Sequence, residues 1–289
     1  MELMKKRATE QVRQKGTSSM DELRKNELVT AAIDMLVRER RAWGGWLPPQ
    51  LPHKHAPFDE KWRAFRALVN TREALPASQA FLAAQDELLQ GLIAEAGITR
   101  VSDIEPAPLD GCLSLWQGDI TTLAADAIVN AANSGMTGCW KPLHGCIDNA
   151  IHTFAGVQLR LECAQLMEAQ GHEEPTAHAK VTHAYNLPAR RVIHTVGPIA
   201  GGRPSDRHRD ELARCYTACL DAAAGEGLGS IAFCCISTGV FGFPRDEAAQ
   251  IAVRTVRAWL GAHPSACLRV IFNVFLDEDA AIYRRLLSA

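Results

Sequence analysis

The second half of the chain alternates short apolar segments with long amphipathic ones. Apolar stretches such as "AIVNAA" and "SIAFCCI" each precede a segment with helical periodicity, for example "RDEAAQIAVRTVRAWLGAH" after the second of them. Strands that alternate with helices build a largely parallel sheet whose faces are covered by the helices. This half is therefore predicted to be an α/β domain, in which Cys234 and Cys235 lie in a buried strand and residues 146–170 form one long amphipathic helix.

The first 108 residues are predicted to form a helical extension, and residues 109–289 the α/β domain. In the extension, "ELRKNELVTAAIDMLVRERR" repeats its apolar residues with a helical period, and two more helices are expected near residues 59–72 and 78–96. A proline-rich segment, "LPPQLPHKHAPF", separates the first helix from the second and is predicted to be a loop.

The composition excludes several classes of protein. The net charge is -2, and no basic stripe indicates a nucleic-acid partner. No apolar run is long enough to span a bilayer. The nine cysteines are odd in number and too few for a disulfide framework in a chain of 289 residues. A reducing, cytoplasmic location is therefore expected, where close Cys and His residues favour metal binding or catalysis.

Polar residues collect where predicted strands end, and ligands of α/β folds bind at that edge of the sheet. Asp119 ends one strand, and Asn130 and Asn133 lie at the end of another. Each has an ordinary structural alternative, because Asp caps helices and Asn satisfies backbone groups in turns. Asp119 can equally accept a hydrogen bond from the amine of a base, and the asparagines can bind sugar hydroxyls.

The loop "STGVFGF", residues 237–243, follows the buried strand "SIAFCCI" and precedes a helix. Its glycines allow backbone N–H groups to turn inward, and the helix N-terminus favours an anion. Phe241 and Phe243 offer apolar or stacking surface. The alternative is a tight turn that binds no ligand. The loop matches neither a Walker sequence nor a dinucleotide fingerprint.

Cys139, His144 and Cys146 lie close together in "GCWKPLHGC". Two thiolates and one imidazole suit Zn²⁺ better than Mg²⁺ or Ca²⁺, and three protein ligands leave a fourth position open, as in catalytic zinc sites. His152 follows on the predicted helix, and a packing or polar supporting role is expected for it. The alternative is a pair of inert cysteines beside a surface histidine, because the spacing is not C-x-x-C.

Five segments occur in the order found in the macrodomain family: "GDIT", "DAIVNAANS", "CIDNAIHTFAG", "YNLPARRVIHTVGP" and "STGVFGFP". The chain resembles that family over roughly residues 112–289, which implies a three-layer α/β/α fold that binds ADP-ribose. The family's glycine-rich run is replaced by "GCWKPLHGC", which is similar to the zinc-dependent macrodomain subfamily of protein ADP-ribose hydrolases, whose members also carry an N-terminal helical extension. Relatives often read C-x-x-P-C-H-x-C, so Leu143 replaces a possible ligand and Cys139, His144 and Cys146 remain.

The resemblance assigns a role to each candidate residue. Asp119 and Ile120 would meet the adenine, Asn133 would hold the distal ribose, and Asn130 would be structural. Asp148 falls at the position of the catalytic aspartate, where the helix N-terminus is expected to favour its ionised form. The diphosphate would lie in the loop that consists of Ser237, Thr238, Gly239, Val240, Phe241, Gly242 and Phe243.

The function that this implies is that of an ADP-ribosylglycohydrolase-type, zinc-dependent enzyme. It would remove mono-ADP-ribose from modified side chains of a partner protein, with Asp or Glu esters as the expected linkage and a lipoyl-carrier protein as a candidate substrate. Two alternatives stay open: a non-catalytic ADP-ribose reader with a structural zinc, and a metal-independent deacetylase of O-acetyl-ADP-ribose. The extension would either cover one face of the sheet or shape a docking surface for the modified protein.

Overall fold

The computed structural model describes residues 20–288; residues 1–19, the start of the predicted extension, and residue 289 lie outside the described range. In this range the helices are Glu22–Trp43 (α1), Phe58–Asn70 (α2), Gln79–Ala96 (α3), Ile147–Ala155 (α4), Val157–Gln170 (α5), Asp206–Gly225 (α6), Arg245–Ala262 (α7) and Asp277–Leu287 (α8). The strands are Thr99–Arg100 (β1), Leu113–Gln117 (β2), Leu123–Ala124 (β3), Ala127–Ala132 (β4), Ala179–His183 (β5), Arg191–Val196 (β6), Ser230–Phe233 (β7) and Arg269–Val274 (β8).

Six strands form one mixed sheet in the order β2-β8-β7-β4-β6-β5. All neighbours in it run parallel except β5, which is antiparallel to β6. The carboxyl ends of the five parallel strands therefore lie at one edge of the sheet. The prediction of an α/β domain with a largely parallel sheet is confirmed. The strands β1 and β3 form a separate parallel pair.

Helices cover the sheet because its strands are apolar toward both faces. Ile128 and Val129 are adjacent on β4, so their side chains point to opposite faces, and both are fully buried. Helix α7 packs against both α6 and α8, and α6 and α8 contact the strands. Helix α4 contacts β4, and α5 contacts β5. These contacts account for the predicted layered arrangement of helices and sheet.

The extension forms three helices, as predicted, and they have an apolar core of their own. Helix α1 packs on α2 and α3 around fully buried residues that include Val29, Phe65 and Leu88. Helices α2 and α3 then contact α4, so the extension packs on this helix. Ile93 of α3 belongs to the main core and not to the core of the extension. The boundary near residue 108 remains a prediction.

Two local predictions are wrong. Residues 146–170 form two helices, because Gly156 adopts a φ of 97° and a ψ of 173° and so interrupts the helical hydrogen bonds. That backbone region is open essentially only to glycine. Strand β7 ends at Phe233, and Cys234 and Cys235 lie after it. Cys234 is nevertheless buried, which explains why the apolar run extends beyond the strand.

All nine cysteines fall within the described residues, and each is a free thiol. Among the helices between residues 20 and 288, none combines the length and the apolar character needed to cross a membrane.

Replacement of Gly156 by Ala is expected to destabilise the protein by about 3 kcal/mol, from backbone strain and overpacking together. An added Cβ would lie 2.5 Å from the side chain of Gln158 and 2.6 Å from that of Gln85. Gly171 is a control in the milder αL region, with a φ of 76° and a ψ of 7°, where an added Cβ meets no atom within 4 Å. Gly171→Ala should therefore cost only the backbone term, about 1 kcal/mol. Urea unfolding of both variants measures the difference, and equal losses would contradict this account of the helix break.

Candidate active site

Three groups of sequence-predicted residues lie along the carboxyl edge of the sheet in a definite order. Asp119 follows β2, the loop 237–243 follows β7, and Asn133 follows β4. In the sheet these strands stand in the order β2-β8-β7-β4. Three strand spacings separate β2 from β4, which corresponds to roughly 14 Å. The polar groups therefore form a row along this edge of the sheet.

Asp119 is both a cap and an exposed acceptor. Its Oδ1 accepts hydrogen bonds from the backbone N–H of Thr121 (2.9 Å) and from the Thr121 hydroxyl (2.7 Å). Both bonds use the same oxygen and the side chain is exposed, so Oδ2 is left to accept a bond from a ligand. The capping role and the binding role are therefore compatible. Ile120 is only 1% exposed, which restricts any contact of this residue with a base to its backbone.

Phe275 is a candidate that sequence reasoning missed. It directly follows β8, the neighbour of β2, and its side chain is 61% exposed. The N–H of Gly118 donates to the carbonyl of Val274 (3.0 Å), which brings Phe275 next to the segment that carries Asp119. An exposed aromatic ring here offers a stacking surface for a base. The sequence alone does not indicate this role, because Phe275 comes close to Asp119 only through the pairing of β2 with β8.

The loop 237–243 presents three successive backbone N–H groups. Gly242 N–H donates to Gly239 (3.0 Å) and Phe243 N–H to Ser237 (2.9 Å), and these bonds close the turn. Among residues 20–288, the N–H groups of Gly239, Val240 and Phe241 have no hydrogen-bond acceptor. Successive unpaired N–H groups in a turn form a concave anion site. The geometry therefore supports the predicted phosphate-binding character of this loop.

The side chains of the loop 237–243 differ in their exposure to solvent. Phe243 is 2% exposed and packs in the main core, so the prediction that it offers stacking surface is wrong. Phe241 is half-buried, and its carbonyl accepts the N–H groups of Ala200 (2.8 Å) and Gly201 (3.0 Å). The Thr238 hydroxyl donates to the Cys235 carbonyl (3.0 Å). The neighbouring Ser237 hydroxyl is buried and has no partner within the described part of the chain.

Asp148 lies in the first turn of α4 and is only 5% exposed. Asn130 Nδ2 donates to its Oδ1 (2.8 Å), and Asn133 Nδ2 donates to its Oδ2 (3.3 Å). Burial raises the pKa of Asp148 to about 6, although these amides and the charge of Arg160 favour the carboxylate. The helix N-terminus is expected to favour the ionised form, and burial, the largest cause of the pKa shift, acts against it.

Asn130 connects Asp148 to a buried histidine. The second hydrogen of Asn130 Nδ2 points to Nδ1 of His194 (3.1 Å), so this ring nitrogen accepts. His194 Nε2 then carries the proton and donates to the Thr182 hydroxyl (2.9 Å). Burial lowers the pKa of His194 to about 3, which keeps the ring neutral. Asn130 is fully buried, so it orients Asp148 and has no surface for a ligand.

Asn133 is half-buried and fixes the turn that follows β4. Its Oδ1 accepts the N–H of Gly135 (3.0 Å), and its Nδ2 donates to the carbonyl of Gly138 (3.1 Å) as well as to Asp148. Both amide hydrogens are therefore used within the protein. The remaining lone pair of Oδ1 can accept a hydrogen bond from a sugar hydroxyl.

Cys139, His144 and Cys146 are brought together, as their spacing predicts. Their ligand atoms all lie within 4.8 Å of one another, and each residue is half-buried. The Cys139 Sγ and His144 Nδ1 atoms are 3.4 Å apart. Two such ligands on one tetrahedral Zn²⁺ stand roughly 3.5 Å apart, from the usual Zn–S and Zn–N bond lengths. The observed separation therefore fits the ion that the resemblance implies.

Cys146 is held at the start of α4, where its Sγ caps the helix by accepting the N–H of Asn149 (3.4 Å). Burial raises the pKa of the Cys146 thiol to about 12, so this sulfur would bind a metal ion only with loss of its proton. Three soft ligands at one loop and helix start form a site suited to Zn²⁺.

His152 lies apart from these three ligands. It groups with the buried residues Cys163 and His194. Its Nε2 is 3.5 Å from Asp148 Oδ1, but neither ring nitrogen makes a hydrogen bond within residues 20–288. Burial lowers the pKa of His152 far enough to keep the ring neutral. The ring packs beneath Gly138, where an added Cβ would come within 2.7 Å of it, so His152 supports the start of the cysteine-containing loop.

Comparison with known proteins gives consistent matches. Residues 129–252 match the family described as Macro domain. The chain is 52% identical over 258 residues to a protein-ADP-ribose hydrolase of Treponema medium, which covers 89% of this chain and 96% of the relative. It is 51% identical over 228 residues to a protein-ADP-ribose hydrolase of Staphylococcus aureus strain MRSA252, with 78% and 85% covered.

Solved structures agree with these sequence matches. A Trypanosoma brucei macrodomain in complex with ADP-ribose superposes with a TM-score of 0.60 at 31% identity, over 77% of this chain and 94% of that one. An Oceanobacillus iheyensis macrodomain with ADP gives a TM-score of 0.55 at 38% identity, over 61% of this chain and 89% of that one. Together with the sheet order and the row of polar groups at its carboxyl edge, these matches establish that the chain belongs to the macrodomain family.

Proposed function

We propose that this protein is a zinc-dependent hydrolase that removes mono-ADP-ribose from modified side chains of a protein. The observation that carries the proposal is the order of groups along the carboxyl edge of the sheet. A base acceptor, an anion-binding loop and a sugar contact follow one another, and the sugar contact, Asn133, donates to Asp148 and to the carbonyl of Gly138, just before the cysteine-containing loop 139–146. This is the order of adenine, diphosphate and distal ribose in ADP-ribose. Relatives at about half identity are named protein-ADP-ribose hydrolases, which supports the same activity.

Each part of the nucleotide meets a group of matching chemistry. Asp119 Oδ2 accepts from the exocyclic amine of adenine, and Phe275 stacks on the ring. The N–H groups of Gly239, Val240 and Phe241 donate to the diphosphate, where successive backbone donors compensate its negative charge. Asn133 contacts the distal ribose. The scissile bond is thereby held at the end of β4, beside Asp148.

The proposed reaction breaks the bond between C1 of the distal ribose and an oxygen of a modified Asp or Glu side chain. Water supplies a hydroxyl group to ADP-ribose, and its other proton balances the released carboxylate. Asp148 orients the attacking group and accepts its proton. Burial raises the pKa of this carboxyl group, which makes it a stronger base than an exposed aspartate. Asn130 and Asn133 fix both carboxylate oxygens for that transfer.

Cys139, His144 and Cys146 would hold Zn²⁺ with one coordination position open. When bound, the ion supplies Lewis-acid polarisation at the ribose and its ester linkage. The protein contributes the placement of its two thiolates and one imidazole next to the first turn of α4, which carries Asp148. The identity of the modified protein is a separate question, and a mono-ADP-ribosylated lipoyl-carrier protein is the first substrate that we propose for testing.

Removal of a metal ligand should separate catalysis from nucleotide binding. We expect Cys139→Ala and His144→Ala to lose stoichiometric zinc and more than about 100-fold of the hydrolysis rate, since Lewis-acid stabilisation is lost. Their affinity for ADP-ribose should stay within a few-fold of the original. Cys112→Ala is the matched control, because Cys112 is an exposed free thiol outside the site.

Zinc binding is measured as the metal content of the purified protein. The hydrolysis rate is measured as release of ADP-ribose from an Asp/Glu-modified protein, and ADP-ribose affinity by calorimetric titration. Full release of ADP-ribose by chelator-treated protein would overturn the zinc proposal. Chelator-insensitive release of acetate from O-acetyl-ADP-ribose, without hydrolysis of modified protein, would favour the metal-independent deacetylase. Hydrolysis of another linkage alone would be compatible with the zinc site, but it would contradict the proposed Asp or Glu ester substrate.

Replacement of Asp148 by Asn should retain the shape of the side chain but remove the base. We expect the turnover rate to fall by about 100-fold or more, the usual contribution of a positioned base, with little change in ADP-ribose affinity. Glu168→Gln on α5 removes an exposed carboxylate and should leave both unchanged. Single-turnover kinetics measures the change in turnover rate.

A wild-type protein that binds ADP-ribose tightly but releases none from modified protein would instead be a reader with a structural zinc.

Asp119→Asn should change the base preference. The wild-type carboxylate accepts from the adenine amine, and the inosine analogue of ADP-ribose, which presents a carbonyl there, should bind about tenfold more weakly, as expected for one lost hydrogen bond. The asparagine keeps Oδ1 for the bonds from Thr121 and offers an N–H₂ donor in place of Oδ2. The variant should therefore favour the inosine analogue. An unchanged preference in calorimetric titrations would place the adenine elsewhere.

A further inference from the structure

The turn that carries His144 contains an unfavourable backbone conformation. The N–H of His144 donates to the carbonyl of Lys141 (3.3 Å), which closes a four-residue turn with Pro142 at its second position. Leu143, at the third position, has a φ of 57°. Proline at the second position and a positive φ at the third are features of a type II turn, whose third position normally holds glycine. A leucine is strained there, so the turn requires support from its surroundings.

Helix α2 of the extension provides a partner for the strained residue. The N–H of Leu143 donates to Oδ1 of Asn70 (3.1 Å), the last residue of α2, which is 2% exposed. Nδ2 of the same amide donates to the hydroxyl of Thr153 on α4 (2.9 Å). The buried side chain of Asn70 therefore connects the turn 141–144 to helix α4.

A second buried amide supports the other end of the turn. Nδ2 of Asn149 donates to the carbonyl of Lys141 (3.2 Å), and its backbone N–H donates to Cys146 Sγ (3.4 Å). Its Oδ1 accepts from Nη2 of Arg66, another residue of α2 (3.1 Å). The extension thus contacts the metal-binding loop twice, at Leu143 directly and at Lys141 through Asn149.

We propose that Asn70 is a positioning residue of the metal site, and that the extension holds the loop 139–146 in the geometry that its three ligands need. This role rests on the proposed zinc site. Without the Asn70 acceptor, Leu143 relaxes toward negative φ and carries the following His144 away from the cysteines. Groups that orient metal ligands without touching the ion commonly control its affinity.

The test uses the full chain and measures zinc affinity by competition with a chromophoric chelator. Asn70→Ala should weaken zinc binding by about 10- to 100-fold, the usual effect of losing such a supporting group. Adding Leu143→Gly to that variant should restore most of the affinity, because glycine adopts a positive φ without strain. A general effect of a missing side chain in α2 would not be rescued by a glycine in another segment.

Gln85→Ala is the matched control. Gln85 is also a fully buried amide of the extension, and its Oε1 accepts the N–H of Val157 at the start of α5 (3.0 Å). Its hydrogen bonds lie outside the loop 139–146, so its removal should leave zinc affinity unchanged. ADP-ribose affinity should be unchanged in all these variants. Equal loss of zinc affinity in Gln85→Ala, or no rescue by Leu143→Gly, would overturn the positioning role of Asn70.

Amide hydrogen exchange in chelator-treated protein provides a readout that needs no metal. Peptides that cover residues 141–146 should exchange faster in Asn70→Ala than in the wild type, and unchanged exchange would contradict the role of Asn70. A wild-type protein that binds no zinc would overturn both this role and the proposed cofactor. A wild type that binds zinc, with equal binding by Asn70→Ala, would overturn only the role of Asn70.

Discussion

Helix α4 is packed between the sheet and the extension, and the relative positions of the candidate catalytic groups depend on that packing. Strand β4 contacts the helix from one direction, and α2 and α3 contact it from another. The helix has nine residues, a length that is not stable as an isolated helix in water, so tertiary contacts set its position. Cys146 caps it and Asp148 lies in its first turn. Any shift of α4 would therefore move the proposed base, Asp148, and one proposed metal ligand, Cys146, together.

Burial of Asp148 is unfavourable in itself, and the surrounding amides reduce the cost. Asn130 and Asn133 each donate to one carboxylate oxygen, but burial still raises the pKa. Asn130 Oδ1 is left buried with no hydrogen-bond partner among residues 20–288, which costs about 1–3 kcal/mol by typical values. A structure optimised for stability alone would not keep this arrangement. Its retention is expected where a carboxylate must be oriented and kept basic.

The sequence predicted the fold and the ligand cluster because both depend on local patterns. Alternating apolar segments gave the parallel sheet, and the short spacing of Cys139, His144 and Cys146 brought three ligands together. What it missed depends on tertiary contacts. Phe243 reads as a loop residue but is buried by the core, and Asn70 lies 73 positions before the residue that it supports. No periodicity or motif can pair residues that distant. Only the docking of α2 on α4 makes that contact.

The groups proposed to bind the nucleotide and the loop that carries the proposed zinc ligands are positioned by different parts of the fold. The groups assigned to the base and the diphosphate follow β2, β7 and β8, whose positions are set by the sheet itself. The loop 139–146, which carries the proposed zinc ligands, has no strand of its own and is held by hydrogen bonds with amides of α2 and α4. The proposed nucleotide and metal sites therefore rely on separate packing interactions. The groups proposed for the nucleotide are positioned by the sheet, whereas the strained loop 139–146 needs an external partner, and this difference gives the helical extension a physical reason to accompany the cysteine-containing loop.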